Sequence, residues 1–217
     1  MEIIPVLISY LLGSVPFGYL IAKSFGIRDI REHGSGNIGA TNVIRVIGPK
    51  AGVPVYILDI AKGAAAVLIG KQFYSTYGSS VFSLEIFLLT CAIAAILGHI
   101  FPLFIKFKGG KGASTILGAV MVLMPLESAV TFLVFVVMLF SFRYVSLATM
   151  TAGTSLFVNL SIQKYYYLKD ISDTYYFLGF LIMVLLVFTH RSNIKRLISK
   201  TESRFTISRK TKVENHV

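Results

Sequence analysis

Four short polar stretches interrupt a chain that is otherwise strongly apolar. The first, REHGSGNIGATNVIRVIG (Arg31–Gly48), spaces Gly34, Gly36 and Gly39 closely and adds Ser35, Asn37, Thr41, Asn42 and Arg45. Closely spaced glycines let backbone N–H groups turn toward one anion. The hydroxyls and amides add donors, and the planar guanidinium fork suits phosphate. Gly-x-Gly-x-x-Gly also spells a dinucleotide fingerprint, but that reading needs a preceding strand inside a βαβ unit, and an apolar helix precedes it here. The second stretch, GHIFPLFIKFKGGKGAST (residues 98–115), sets Gly109, Gly110 and Gly112 around Lys111, ahead of Ser114 and Thr115. It is not a Walker A loop, because no glycine stands five residues before Gly110. A helix start with a lysine beside it nevertheless favours phosphate. The third, FSFRYVSL (residues 140–147), puts Arg143 and Ser146 at a very short connection. The fourth, THRSNIKR (residues 189–196), holds His190 and Asn193 three apart, on one face of a helix; Arg191 points elsewhere, and Arg191, Lys195 and Arg196 read as basic anchors.

Two further features lie inside apolar runs. LDIAKG puts Asp59 and Lys62 one helical turn apart. Charges within a membrane segment face the bundle interior in pairs, so a neutralised structural pair that orients the site from behind is expected. His99 ends another run and reads as a packed, hydrogen-bonded histidine.

The inventory restricts the chemistry. Carboxylates near the polar stretches are only Asp29 and Glu32, and no histidine is followed by an aspartate five positions later. No Ser-His-Asp set is apparent, although a triad is defined by geometry. No metal-ligand spacing is visible, so neither metal nor cofactor is expected. Such a site holds phosphates and suits an already activated phosphorylated substrate, where positioning and electrostatic stabilisation supply most of the acceleration.

These groups need a membrane scaffold. The 217 residues are 55% hydrophobic and 14% charged, with a mean hydropathy of +0.74. Apolar runs cover roughly residues 2–24, 52–70, 84–105, 113–142, 145–162 and 174–189, several of them near the ~20 residues that cross a bilayer. The net charge of +11 reflects Lys and Arg gathered in loops and tail, as on the cytoplasmic side of membrane proteins, and no nucleic-acid partner is expected. The single cysteine, Cys91, forms no internal disulfide. The N-terminus lacks a basic segment before its first apolar run, so a cleaved signal peptide is not expected.

The run 113–142 is long for one helix and carries Pro125, Glu127 and Ser128 in its middle. Charge decides how to divide it. The first loop holds Arg28, Arg31, Arg45 and Lys50, and eight Lys/Arg follow His190; both belong inside. One crossing would put the tail outside, whereas two put it inside. The expectation is therefore an all-α polytopic protein of seven transmembrane helices, N-terminus outside and C-terminus cytoplasmic. The pieces 113–124 and 129–142 are short spans. Residues 28–50, 105–112, 143–146 and the start of the tail then share one face. The tyrosine-rich loop at 163–173 reads as an interfacial aromatic belt on the other. Residues 1–200 form one domain, and 201–217 a basic cytoplasmic tail.

GSGNIGATN followed by Arg45, LDIAKG, GHIFPLFIKFKGGKG, RYVSL and HRSNIKR together resemble the bacterial membrane family of acyl-phosphate:glycerol-3-phosphate acyltransferases. The ordered set spans about residues 9–203 and is specific, although each motif alone is weak. The resemblance implies acyl transfer from acyl phosphate to the 1-hydroxyl of glycerol 3-phosphate, giving lysophosphatidate and phosphate, at a cytoplasm-facing site in the inner membrane. It implies that Ser35, Arg45, Lys111 and Asn193 hold the acceptor. The turn of Gly36, Asn37, Gly39 and Ala40, with Thr41 and Ser146, holds the donor phosphate, and His190 lies between. Asn42 and Gly110 belong to the same binding loops; Asp59, Lys62, His99 and Arg143 support them. A soluble acyl-phosphate-forming enzyme is an implied partner. The family is thought to use the acceptor's own phosphate to take up the hydroxyl proton; His190, with an ordinary pKa of about 6.5, is the competing base. Thr189 stands where relatives often carry Arg, and AST where VAT is usual. A transporter of a phosphorylated metabolite is the alternative, and it would call for internal repeats, of which none is seen.

Arg45→Lys is expected to lower acyl transfer roughly tenfold or more while leaving the protein folded, because a point charge does not reproduce the guanidinium fork. Turnover beside a size-exclusion profile checks this, and wild-type turnover in the lysine variant would remove the fork from the argument.

Overall fold

Proline and glycine set most of the breaks between helices. The computed structural model describes residues 1–206, which are helical and contain no strand. Helix α1 (Ile3–Ser14) and α2 (Phe17–Ser24) are separated only at Val15–Pro16 and together make one 22-residue candidate span. A polar loop then leads to the short α3 (Ala40–Val46). Gly48, at φ +121°, opens the 29-residue α4 (Pro49–Tyr77), which carries Pro49 in its first turn. Helix α5 (Leu84–Ile100) is capped by the Ser83 side chain and runs through a 3₁₀ turn at Leu103–Ile105. Next come α6 (Ala113–Leu123), α7 (Pro125–Phe142) and α8 (Val145–Ser161), the last extended by a π turn at Ile162–Tyr166. Helix α9 (Asp173–Thr189) and α10 (Arg191–Ile198) meet at His190 with a 60° bend.

Among the described residues, five helical segments are long and apolar enough to cross a membrane, and the bent α9–α10 pair makes a sixth. The division of residues 113–142 differs from expectation in its position. Met124 is extended ahead of Pro125 (φ −142°) and α7 starts at the proline itself. That makes α7 a full 18 residues and leaves α6 only 11.

Close approach of backbones holds the bundle together, as expected where lipid removes the hydrophobic drive between helices. A methyl group on Gly118 of α6 would lie 1.9 Å from the Ile60 carbonyl oxygen of α4, and one on Gly63 of α4 would lie 2.1 Å from that of Thr115. Gly13 of α1 and Gly98 of α5 make the same kind of contact, with Ala95 and Tyr10. Helix α7 is the exception: only Ser128 is buried, and the helix leans on α8 more than on α6. An apolar cluster of Ile96, Ile116, Val120, Met124, Leu156, Leu160, Leu178, Ile182 and Leu186 ties α5, α6, α8 and α9 together. A second cluster, including Ala22, Ile30, Val43 and Val55, packs α2 and α3 on α4. The N-terminal end, where Ser79 Oγ donates to Glu2 Oε1 (2.5 Å) and Ser172 meets Glu85, lies away from the polar loops.

Gly118→Val is expected to destabilise the protein by on the order of 3 kcal/mol, because the obstacle is backbone and cannot yield. Val130→Ala, on the outward face of α7, changes stability by less than about 0.5 kcal/mol. Thermal unfolding in detergent separates the two; equal midpoints would contradict the packing described.

Candidate active site

The residues that could hold phosphate converge on one cavity of about 680 Å³, lined by parts of the first loop, Lys111, α8 and the α9–α10 bend. The local structure of each part explains why.

Asn42 organises the first loop. Its side chain is buried; Nδ2 donates to the carbonyls of Asn37 (2.8 Å) and His33 (3.0 Å), and Oδ1 accepts from Ser35 N–H (2.7 Å). A methyl group on Gly34 would lie 2.3 Å from that Oδ1, and Gly34 sits at φ +61°, so glycine is required there on two counts. Asn37 Oδ1 accepts from Gly39 N–H (2.7 Å), and Gly36 N–H returns to His33 O (3.1 Å). The amides of Ser35, Gly36 and Gly39 are therefore engaged inside the loop, contrary to the expectation that the glycines themselves donate to an anion. The two asparagine side chains and a turn carbonyl have taken those donors. Among the amides that stay open are those of the first turn of α3, where Ala40 and Thr41 precede the intrahelical ladder.

Beneath the second glycine cluster lies a buried polar group of four. Lys62 Nζ is 2.8 Å from Asp59 Oδ1 and donates to Val15 O (3.0 Å) at the α1–α2 break. His99 Nδ1 is 3.6 Å from Asp59 Oδ1 and 3.1 Å from Thr115 Oγ1. Gly110 N–H donates to His99 O (3.0 Å), and a methyl group on Gly110 would strike His99 Nε2 at 2.1 Å. The histidine ring is thus the floor on which the Gly109–Gly112 turn rests, and the turn aims Lys111 into the cavity.

Lys111 Nζ donates to Asn193 Oδ1; Asn193 Nδ2 donates to Glu202 Oε1 (2.6 Å). The same carboxylate accepts from Ser146 Oγ (2.8 Å) and Arg196 Nε (2.7 Å). Burial raises the Glu202 pKa, but the bonds from Asn193, Arg196 and Ser146 outweigh it and hold the group below the usual glutamate value. Burial, reinforced by Arg196 and Arg45 and opposed by Glu202, lowers Lys111 to about 8. His190 Nδ1 lies 2.8 Å from the Leu186 carbonyl oxygen, which only accepts, so the neutral ring carries its proton there and leaves Nε2 with the lone pair.

Ser35, Asn37, Gly39, Ala40, Thr41, Asn42, Arg45, Asp59, His99, Lys111, Ser146, His190 and Asn193 all line the cavity. Lys62 and Gly110 are buried behind the lining, whereas Gly36 is exposed on the loop and does not line the cavity. Arg143 is exposed at the α7–α8 joint in the left-handed region (φ +61°); its carbonyl, not its guanidinium, is used, accepting from Phe205 N–H (2.5 Å). Sequence reasoning missed Glu202 and placed Arg196 among the anchors. Residues 201–206 fold back onto the site through Thr201 N–H to Arg196 O (2.8 Å) and the Glu202 bonds. The rest of the expected tail, 207–217, lies outside the described residues. The one available signal was a lone acidic residue in a basic segment.

Comparison with known proteins bears on what this cavity does. The profile of the family described as "Glycerol-3-phosphate acyltransferase" matches residues 3–200. "Glycerol-3-phosphate acyltransferase 2" of Bacillus anthracis is 43% identical over 204 residues, covering 94% of this chain and 99% of that protein. A glycerol-3-phosphate acyltransferase of Geotalea daltonii is 42% identical over 205 residues, 94% of this chain and 97% of its own. Among solved structures, the glycerol 3-phosphate form of PlsY, an integral membrane glycerol 3-phosphate acyltransferase, superposes with a TM-score of 0.82 at 40% identity, covering 94% of this chain and 96% of that one. The lysophosphatidic acid form gives 0.79 at 39% identity, covering 95% and 96%.

A lysine is charged below its pKa, so binding of inorganic phosphate is expected to weaken, about tenfold, as pH rises through about 8 and Lys111 loses its proton. Because Glu202 raises that pKa, Glu202→Gln moves the midpoint to lower pH. Calorimetric titrations between pH 7.5 and 9.5 read both; a flat profile in the wild type would exclude Lys111 as the responding group.

Proposed function

Because this chain belongs to the glycerol-3-phosphate acyltransferase family, we propose that it moves an acyl chain from acyl phosphate to the 1-hydroxyl of glycerol 3-phosphate, forming lysophosphatidate and inorganic phosphate for phospholipid synthesis. The observation that carries this reading is the composition of this cavity. One end collects Arg45, Lys111, Ser146 and Asn193, and the other runs between apolar side chains of α6, α7, α8 and α9. Along α8 the lining grades from Ser146 and Thr149 through Ala152 and Gly153 to Leu156, positions that share one helical face. A polar head with a long apolar tail fits that gradient. A transporter would need an exit at the opposite end, where the bundle is filled by packed core residues.

In this reading Ser35, Arg45, Lys111 and Asn193 hold the glycerol 3-phosphate. The donor phosphate sits against the start of α3 at Ala40 and Thr41 and against Ser146. The 1-oxygen bonds to the carbonyl carbon of the mixed anhydride. The carbon–oxygen bond to phosphorus breaks, and phosphate leaves with the electron pair. Lys111 and Arg45 stabilise charge that develops there, in a site where partial exclusion of water strengthens each interaction. The hydroxyl proton passes to a phosphate oxygen of the acceptor. His190 has a backbone carbonyl, not a carboxylate, at Nδ1, which gives an imidazolium little support. His190 therefore leaves the proton to the phosphate and helps place the acceptor from the cavity wall. Asp59, Lys62 and His99 position the Lys111 turn, and Arg143 anchors the returning segment through its carbonyl. No cofactor or metal is needed.

The seven-helix topology belongs to the same proposal. The crossings are α1–α2, α4, α5, α6, α7, α8 and α9, with α6 as a short span in thinned or shielded surroundings. Glu2 sits at the end opposite Glu202, which favours an odd number of crossings, and the basic segments at the cavity end favour a cytoplasmic site in a bacterial inner membrane. A soluble enzyme that makes acyl phosphate would deliver its product to that face.

Purified protein in lipid, given dodecanoyl phosphate and labelled glycerol 3-phosphate, is expected to yield lysophosphatidate, and Lys111→Ala to lower the rate about a hundredfold or more without unfolding. Equal turnover with acyl-CoA or acyl carrier protein would overturn the donor assignment. No product from any donor would overturn the acyl-transfer reading.

A further inference from the structure

The apolar arm of the cavity is closed at one end, and the closure coincides with the shortest of the proposed crossings. Helix α6 rises through only 11 residues, about 16 Å, before the chain reverses at Met124–Pro125. Val120 of α6 and Ser128 and Thr131 of α7 line the arm next to this reversal. Met124, Leu160 and Leu178, which belong to the same buried cluster as Val120, fill the space behind it. The arm can go no deeper than α6 is long.

We propose that the α6–α7 reversal sets the acyl chain length that the enzyme accepts, with Ser128 and Thr131 as the end wall. The proposal rests on the acyl-transfer reading. From Leu139 to Ser128 the lining face of α7 covers eleven residue steps, again about 16 Å. An extended alkyl chain advances about 1.3 Å per carbon, the axial projection of a ~1.5 Å tetrahedral bond, so the arm holds roughly a dozen to fourteen carbons.

Both wall residues are small, and their size sets where the arm ends. Ser128 is buried, and its hydroxyl donates to Pro125 O (2.7 Å). Thr131 Oγ1 is already shut off from solvent by protein atoms alone, so an incoming chain does not change its hydration. The end wall thus limits length by shape: a larger side chain at either position would shorten the arm.

The test varies chain length and wall separately. Wild type, Ser128→Leu and Thr131→Leu are assayed in lipid with acyl phosphates from decanoyl to octadecanoyl. Ser128→Leu fills the end and is expected to lower the tetradecanoyl-to-decanoyl ratio of kcat/KM roughly tenfold. Thr131→Leu enlarges the other wall side chain and is expected to lower the same ratio several-fold. Wild-type ratios in both variants overturn the proposal. Thermal stabilisation by alkylphosphonates of the same lengths reads the profile without turnover. An inactive wild type whose stabilisation still depends on Ser128 and Thr131 sinks the acyl-transfer reading alone; an active enzyme whose profile ignores both residues sinks the ruler alone.

Discussion

Glu202 is the acceptor on which the polar end of the cavity converges. It takes hydrogen bonds from Ser146 on α8 and from Asn193 and Arg196 on α10, and Asn193 in turn receives Lys111 from the glycine turn. Without a carboxylate there, Lys111, Arg196 and Arg45 would face one another at the edge of a low-dielectric medium, where like charges repel strongly. The carboxylate permits the cluster to be basic enough for phosphate and still form in the empty protein. It also joins three parts of the chain, a loop before α6, the start of α8 and the segment after α10.

The same economy of charge governs the layer beneath. Asp59, Lys62, His99 and Thr115 form a buried polar group inside the bundle, where each charge depends on its partner. The group supports the Lys111 turn through His99, and it is reached from α4, α5 and α6 only because glycines let those backbones come within contact. Gly63 and Gly118 bring α4 onto α6, and Gly110 lets the turn lie on the imidazole. Helix packing and site geometry are therefore one constraint here. A side chain at Gly118 would push α6 outward and carry Lys111 away from Asn193.

From polar end to closed end, the cavity meets the physical demands of an amphiphile at a membrane surface. Donors cluster where phosphate can be reached from water, small residues of α8 open a path, and apolar residues of four helices enclose the rest of the arm. Helix α7 packs on little besides α8, so one wall of the arm is also a lipid-facing helix. A membrane-dissolved donor and a water-soluble acceptor can thus meet at one site without either leaving its own phase.

Much of this was legible in residue types alone. Hydropathy marks the apolar runs, since a bilayer accepts few segments other than continuous apolar helices, and charge asymmetry argues that residues 113–142 turn back on themselves. The glycine, lysine, arginine, histidine and asparagine signals at 34–45, 111, 190 and 193 mark the residues that line the cavity, because phosphate recognition uses few chemical groups. Tertiary structure decided which donors are free. The amides of Ser35, Gly36 and Gly39 look available in the sequence, but Asn37, Asn42 and the His33 carbonyl occupy them, a matter of loop closure that spacing does not encode. It also decided that Glu202 belongs to the site and that Arg143 contributes a carbonyl rather than a charge. A hydrogen bond between residues 56 or 82 positions apart, as from Ser146 to Glu202 or from Lys111 to Asn193, depends on how helices cross, and no local pattern carries that information.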